Sequence, residues 1–182
     1  MQAARNVVLL VLMIAFVGLP AVSGSAKTDP ELSHQVSERL DAIVAGIPTI
    51  SPETHIRHSL AHATFCLPQN IPKILYYALL QATGGVLGVR EMNEMTIVVT
   101  RTPAGASLGR YVFVSVPLLS ERTVRHEYGH AIQGYRHGPF YLLFEGLTSF
   151  VQAAVSIVSP SFAQAYFARW PENEADRLGG VE

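Results

Sequence analysis

The stretch VRHEYGHAIQGYRHGPF, residues 124–140, sets the requirements that the rest of the fold has to meet. It places His126 and His130 four residues apart, with Glu127 directly after the first histidine. On a helix, side chains four apart lie on one face, so both imidazoles can bind one ion. Zinc takes four ligands and keeps one position open when it catalyses. The stretch therefore supplies part of a metal site, and a third protein ligand has to come from elsewhere.

Glu127 is the residue type that water activation beside a metal requires. Zinc lowers the pKa of water to roughly 7, and a neighbouring carboxylate can take up the proton and pass it to a leaving amine. Next to His126, the Glu127 side chain is placed to reach this water rather than the ion. A His-Glu-x-x-His motif also arises by chance on solvated helix faces, but here it opens a capped helix after a strand, which favours a metal site.

The residues before the motif predict a small sheet followed by the histidine-bearing helix. The runs TIVVTRT and RYVFVSV, separated by PAGASLG, are typical of a hairpin or of two adjacent strands. Ser120 is the expected N-cap of the next helix, Glu121 lies in its first turn, and Gly134 marks its expected end. Elsewhere, Pro residues behind Asp29, Ser51 and Ser159 predict further helix starts, so the chain is expected to be α+β and mostly helical.

His137 is the nearest candidate for the third ligand, but its spacing is wrong. Metzincin proteases use His-Glu-x-x-His-x-x-Gly-x-x-His, whereas here one additional residue separates His130 from Gly134. On a helix one residue rotates the chain by about 100°, so the turn would not bring His137 onto the ion. His137 is better interpreted as a loop histidine or as a group that hydrogen-bonds to substrate.

Glu172 is the preferred third ligand, and Asp176 lies one helical turn after it in the sequence PENEAD. A carboxylate in the position of Asp176 can accept the second ring N–H of a ligating histidine and so fix its tautomer. Glu145 lies in an apolar run without such a partner, and Glu174 falls on the opposite side of the helix. Pro171 is expected to begin this helix.

The paired motifs, His126-Glu127-x-x-His130 and Glu172-x-x-x-Asp176, resemble the gluzincin, or thermolysin-like, metallopeptidase pattern. The phrases HEYGHAIQGYRHGPFYL and ENEADRLGGV also look like those of small bacterial zincin-like proteins. The resemblance implies one Zn²⁺ ion bound by the two histidines and the glutamate, Glu127 as general base, and a peptide or protein substrate. It assigns no residue to stabilise the oxyanion; the candidates are Tyr135, His137, Tyr141 and Arg177.

Residues 1–26 have the layout of a secretory signal, with Arg5, an apolar run, and small residues after Pro20. We expect this segment to direct export and to be cleaved, with a retained N-terminal anchor as the alternative. Residues 27–182 are then expected to form a single zincin-like domain. A net charge of −1 without a basic run argues against nucleic-acid binding. The single cysteine, Cys66, rules out an intramolecular disulfide and is expected to be buried.

Residues 140–158 form an apolar run in which Glu145 is the only charge, and a membrane crossing there would separate Glu172 from His126. We therefore expect buried helices in this region, and membrane association remains a second interpretation. Three further histidines, His55, His58 and His62, are expected to form a polar surface stripe. The alternatives to a peptidase are a non-catalytic zinc-stabilised binding module at the cell envelope or membrane surface, and a metal-free structural protein of the envelope.

Overall fold

Four strands form one sheet, and all of them precede the histidine-bearing helix in the chain. The computed structural model describes residues 29–51, 53–54, 57–58, 60, 64, 67–101 and 105–181. The predicted N-terminal signal or anchor, His55, His62 and Cys66 lie outside these residues. The expected combination of helices with a small sheet is confirmed.

The sheet has the order β1-β2-β4-β3, in which β1 is Val86–Met92, β2 is Met95–Thr100, β3 is Gly105–Leu108 and β4 is Tyr111–Ser115. Both outer strands pair antiparallel to their neighbours, whereas β2 and β4 pair parallel at the centre. The predicted adjacency of β2 and β4 is right, but the hairpin is wrong. The intervening strand β3 reverses the chain once more, so β4 runs in the direction of β2.

A tight turn joins β1 to β2 and connects this edge of the sheet to the first helix. Asn93 and Glu94 both have positive φ, 48° and 66°, as a two-residue hairpin turn requires. The Asn93 side chain accepts a hydrogen bond from the Ile50 backbone N–H at 3.1 Å and donates one to the Pro48 carbonyl at 3.0 Å. The turn thereby fixes the segment that follows the first helix.

Helix α1, Pro30–Ala45, packs on one face of the sheet. Asp29 caps it as predicted, because its carboxylate accepts hydrogen bonds from two backbone N–H groups of the first turn. The helix approaches β1 at Gly88, where a Cβ would lie 3.1 Å from Val36 Cγ1. The core on this face combines α1, the sheet and the histidine-bearing helix, and it includes Leu40, Ile43, Ile97, Val99, Val112, Val114, Val124 and Tyr128.

Helix α2, Leu67–Ala82, covers the other face of the sheet, where Leu80 packs with Val98 and Phe113. The apolar sequence PKILYYALLQATGGVLGV predicts a largely buried helix here, and this prediction is wrong for the described side chains of α2. Several of its large apolar side chains are exposed: Ile71, Ile74, Leu75 and Leu79.

Helix α3, Glu121–His137, carries the histidine motif and crosses the sheet face beside α1. Ser120 caps it as predicted, with its hydroxyl accepting from the Thr123 N–H at 3.1 Å. The helix continues past Gly134, its predicted end, to His137, and Gly138 then adopts a positive φ of 55°. An interior glycine weakens a helix without ending it when the flanking residues are packed.

The C-terminal segments bring the chain back onto α3. Ser159 caps α5 as expected, accepting from the Phe162 N–H at 3.4 Å, and Pro171 directly precedes α6 as predicted. After a short 3₁₀ turn over Gly138–Phe140, the elements are a π-helical segment over Leu142–Gly146, α4 over Leu147–Val158, α5 over Pro160–Gln164, a 3₁₀ turn over Tyr166–Ala168, and α6 over Glu172–Gly179.

Candidate metal centre

Both imidazoles of the His-Glu-x-x-His motif point at the same carboxylate oxygen. His126 Nε2 lies 3.1 Å and His130 Nε2 lies 3.2 Å from Glu172 Oε2. All three side chains are buried, and one potential ligand atom from each lies within 4.8 Å of the others. The second oxygen of Glu172, Oε1, is buried and has no hydrogen-bond partner among the described residues. This donor set can hold a metal ion, which would satisfy that oxygen.

Asp176 orients the first histidine. Its Oδ1 lies 2.6 Å from His126 Nδ1, and its other oxygen pairs with the Arg122 guanidinium at 3.4 Å. A carboxylate can only accept, so His126 Nδ1 carries the proton and Nε2 turns toward Glu172. The sequence placed Asp176 in this position relative to Glu172, and the two residues approach α3 from consecutive turns of α6.

Gln133 orients the second histidine and was not singled out from the sequence. Its Oε1 lies 2.8 Å from His130 Nδ1, while its amide nitrogen donates to the Pro171 carbonyl at 3.0 Å and to Glu174 at 3.2 Å. Because the nitrogen is committed to these two acceptors, the oxygen faces His130 and its Nδ1 donates. Gln133 lies three residues after His130, on the same helical face, which is the signal that would have identified it.

Two glycines let α6 approach α3 closely enough for this geometry. A Cβ at Gly129 would lie 1.8 Å from the Ala175 carbonyl oxygen, and a Cβ at Gly179 would lie 1.9 Å from the Arg125 carbonyl oxygen. Neither position can carry a side chain without moving one helix backbone. The contact holds Glu172 against the imidazoles. The signal for this contact in the sequence is Gly129, because a glycine inside a helix lowers the stability of that helix.

Glu127 lies outside the ligand cluster, beside the edge of the sheet. Its carboxylate is buried, and Oε1 is 3.6 Å from the point that a Cβ on Gly105, the first residue of β3, would occupy. Glu127 Oε2 has no hydrogen-bond partner among the described residues. Glu127 is therefore a buried carboxylate next to the first residue of β3, and one of its two oxygens is unsatisfied within the described part of the chain.

The charges within the cluster raise the pKa of His126 and lower the pKa of Glu172. Burial would lower the pKa of His126, but the hydrogen bond to Glu172, the charge of Glu127 and the bond to Asp176 raise it to about 9. For Glu172, burial would raise the pKa, but hydrogen bonds from His126 and His130 hold it well below its ordinary value. The imidazoles therefore favour their protonated form beside the ionised Glu172, so a divalent cation that binds here has to displace protons.

Lys73 of α2 is a further ionisable group whose charge acts on Glu127, and it was not predicted from the sequence. Its side chain is buried, with Nζ donating to the Ala106 carbonyl at 3.1 Å and lying 4.7 Å from the Phe113 ring centroid. Burial lowers the pKa of Lys73 to about 7, against the opposing charge of Glu127. Burial likewise raises the pKa of Glu127, against the positive charges of His130, His126 and Lys73.

Hydroxyl groups close the side of the centre that faces α4. Ser149 Oγ lies 3.4 Å from the Tyr166 hydroxyl, and burial together with the charge of Glu172 raises the pKa of Tyr166. Tyr141 is buried; burial and the charges of Glu127, Glu172 and Glu145 hold its pKa well above the ordinary value, so its hydroxyl stays protonated. Both tyrosines therefore keep neutral hydroxyls within the influence of the buried carboxylates.

The other candidates from the sequence lie away from the ligand atoms. His137 is outside the cluster, and its Nδ1 pairs with the buried carboxylate of Glu145. Tyr135 stacks on His58 with ring centroids 4.0 Å apart. Arg177 is exposed and pairs with Glu174 rather than facing the centre. Of the four oxyanion candidates named from the sequence, Tyr141 is the one whose surroundings include Glu127 and Glu172.

In comparisons with known proteins, no family model, no curated protein and no solved structure matches this chain. The gluzincin resemblance therefore rests on the quoted residues, and the geometry of the centre stands by itself. That geometry combines a His-His-Glu cluster that could hold a metal ion, oriented by Asp176 and Gln133, with a separate buried carboxylate, Glu127. Such an arrangement can bind a cation and move a proton at an adjacent atom.

Proposed function

We propose that this protein is an exported, zinc-dependent peptidase that hydrolyses peptide bonds with water. The observation that carries the proposal is the convergence of two Nε2 atoms on one Glu172 oxygen, at 3.1 and 3.2 Å, with Glu127 buried alongside but outside the ligand set. Two imidazoles and one carboxylate are a donor set that zinc takes in catalytic sites with an open position. The zincin-like fold and the gluzincin assignment belong to the same proposal.

The roles follow from the surroundings of each side chain. His126, His130 and Glu172 hold the ion, and Asp176 and Gln133 keep both imidazoles in the tautomer that presents Nε2. Bound zinc would supply a Lewis acid that makes water acidic near neutral pH and polarises a carbonyl oxygen. Glu127 takes the proton of the attacking water and returns it to the leaving amine. Its buried position and raised pKa suit a base that works near neutral pH.

We place the substrate carbonyl at the metal centre, between Glu127 and the tyrosines on the α4 side. Burial and the charges of Glu127 and Glu172 raise the pKa of both Tyr141 and Tyr166, which keeps their hydroxyls protonated. A neutral hydroxyl can donate to the oxygen that becomes negatively charged during attack on a carbonyl. We assign this donation to the tyrosine side of the centre.

The alternative is a non-catalytic zinc-stabilised binding module. It is favoured by the position of the ligands, because they come from α3 and α6, two helices held together at Gly129 and Gly179. An ion bound there would cross-link these helices and stabilise the fold. The two proposals make different predictions for Glu127, which contributes nothing to such a cross-link.

Zinc content and peptide cleavage in matched variants distinguish these proposals. Purified protein should contain one zinc per chain, and Glu127→Gln should retain the metal while losing cleavage of a peptide library by roughly 10²–10⁴-fold. Glu121→Gln, an exposed glutamate on the same helix, is the control and should cleave normally. His126→Ala should lose zinc.

A folded wild-type protein without zinc would refute both proposals. If Glu127→Gln leaves every measured property unchanged while His126→Ala unfolds the domain, the binding module is supported and the peptidase is wrong. Mass spectrometry of the peptide library and metal analysis by plasma emission give both readouts on the same preparations.

A further inference from the structure

Helix α4 and the π-helical segment before it have their polar side turned inward. Glu145 is buried against His137, Ser149 contacts the Tyr166 hydroxyl at 3.4 Å, and Gln152 Nε2 donates to the Trp170 carbonyl at 2.7 Å. These polar residues recur at intervals of three and four, so they lie on one side of the helix. That side faces the candidate metal centre.

The opposite side is apolar and exposed to the surroundings. We call it the outer stripe; it consists of Leu143, Phe144, Phe150, Val151, Ile157 and Val158. Ile157 is 85% and Val158 is 80% exposed, and no residue of α4 is buried. A surface helix of a soluble protein shows the reverse, with apolar residues inward and polar residues outward. The prediction that residues 140–158 form buried helices is therefore wrong.

The chain around the outer stripe adds no exposed charge of its own. Phe140 is also exposed, and from residue 138 to 168 the only residue of the Asp, Glu, Lys or Arg type is Glu145, which is buried. The Arg122 guanidinium lies over the Phe167 ring, at the margin of this region. Protein–protein interfaces carry a polar rim around an apolar centre. An exposed apolar helix side that contributes no charged residue matches hydrocarbon better than it matches another protein surface.

Charged and amphipathic groups begin at the end of this surface. Trp170 is half exposed, and its indole N–H donates to Glu174 at 3.2 Å. The neighbouring Arg169 lies with its guanidinium 4.3 Å from the Phe162 ring centroid. Tryptophan and arginine are the residues that occupy the boundary between acyl chains and head groups in membranes.

We propose that the outer stripe docks into the acyl-chain boundary of a lipid bilayer, with α4 lying in the plane of the interface and Trp170 at its edge. Among the described residues no single helix is long and apolar enough to span a bilayer; only a pair bent by 111°, Glu121–Phe140 with Leu142–Val158, passes by length and composition. A crossing there would separate Glu172 from His126, yet these side chains are in contact. The helix therefore lies on the membrane, and this inference stands whether or not the centre is catalytic.

Quenching of tryptophan fluorescence by brominated lipid tests the proposal on the full chain. Trp170 is the only tryptophan, so its emission reports this face alone, even if residues 1–26 tether the chain to the vesicle. Vesicles of phosphatidylcholine and phosphatidylglycerol, brominated near the top of the acyl chains, should quench Trp170, and unbrominated vesicles should not.

Charge substitutions in the outer stripe make the test specific. The double variant Ile157→Asp with Val158→Asp should lower the quenching at a given lipid concentration by about tenfold, since both apolar side chains leave the hydrocarbon. Thr49→Asp, which adds a charge to the exposed segment after α1, is the control and should behave as wild type. Circular dichroism and thermal unfolding without lipid check that each variant is folded.

Three results would overturn the proposal. The first is a vesicle-bound protein whose Trp170 is not quenched. The second is equal quenching in the wild type and in the folded double variant. The third is a lipid-free dimer that the double variant converts to a monomer, because the outer stripe would then be covered by a second copy of the chain.

Discussion

Gly129 is the position where a single methyl group should do most damage to the candidate metal centre. In an isolated helix, replacing this glycine by alanine would be favourable by about 1 kcal/mol, since glycine is a poor helix former. Here the added Cβ would lie 1.8 Å from the Ala175 carbonyl oxygen, whereas an ordinary van der Waals contact requires at least 3.4 Å. Helix α6 must therefore retreat from α3 by roughly 1.6 Å.

The retreat has consequences for both stability and metal binding. Overpacking of rigid backbone costs about 3 kcal/mol, which for a chain of this size lowers Tm by about 6–12 °C. Glu172 lies on the first turn of α6, and metal–ligand distances tolerate deviations of only about 0.2 Å. Gly129→Ala should therefore also weaken zinc binding by about 100-fold or more, since even indirect ligand-orienting groups contribute 10–100-fold.

Thermal unfolding of metal-free protein and competition for zinc with a chromophoric chelator measure the two effects separately. Gly179→Ala should give the same result, because its Cβ would lie 1.9 Å from the Arg125 carbonyl oxygen. Gly146→Ala is the matched control: its Cβ would make only an ordinary contact of 3.5 Å with Leu142, so its Tm should stay equal or rise slightly. A Gly129→Ala protein as stable as the wild type, with unchanged zinc affinity, would show that the close contact at Gly129 does not hold Glu172 in place.

Three further predictions concern protons and the groups that orient or surround the centre. Because the pKa of His126 is raised to about 9, zinc has to displace a proton at pH 7.5; calorimetry in buffers of different ionisation heat should show at least about one proton released, and affinity rising about tenfold per pH unit up to pH 9. An affinity independent of pH above 7 contradicts this. Asp176→Asn should weaken zinc binding by about 10-fold or more, measured by chelator competition. An unchanged affinity would show that Asp176 does not orient His126 for the metal. The pKa of Lys73 is lowered from 10.5 to about 7, so between these pH values the unfolded chain binds more protons and this residue's contribution to stability rises with pH. Urea unfolding of Lys73→Met should accordingly show a flatter dependence on pH than the wild type, and equal slopes would contradict the burial of a charged amine.

The sequence predicted the features that depend on residues close together in the chain, such as helix caps and side chains at helical spacing. The caps at Asp29, Ser120 and Ser159 were predictable because a side chain bonds to backbone N–H groups two or three residues away. The approach of Glu172 to the two imidazoles was predictable for a related reason, because helical spacing placed Asp176 where one histidine needs a partner. In both cases few alternatives satisfy the same short-range chemistry.

Strand pairing was predictable only in part. Strand β3 has the sequence GASL, without the β-branched or aromatic residues that mark a strand, so the pattern predicts a connection there and places β2 and β4 either in a hairpin or as adjacent strands, of which the adjacency is right. Its pairing depends on β4 and on the Lys73 ammonium, which comes from a distant helix. The contact between Gly129 and Ala175 likewise joins two helices whose separation the sequence does not encode locally.

The apolar run after α3 shows why burial is harder to predict than helicity. The pattern that places Leu143, Phe150 and Ile157 on one side of a helix fits a stripe facing a protein core as well as one facing lipid. What distinguishes the two is the position of the polar residues, and Ser149 and Gln152 could be recognised as inward-facing only from their hydrogen bonds to Tyr166 and Trp170.

Diffraction on the zinc-loaded protein, at wavelengths on either side of the zinc absorption edge, shows directly whether two histidines and a distant glutamate hold one zinc ion. We expect one anomalous peak per chain, about 2.0–2.2 Å from His126 Nε2, His130 Nε2 and a Glu172 carboxylate oxygen. A peak ligated by His137 or Glu145 instead of Glu172, or a folded protein that binds no zinc, would contradict it.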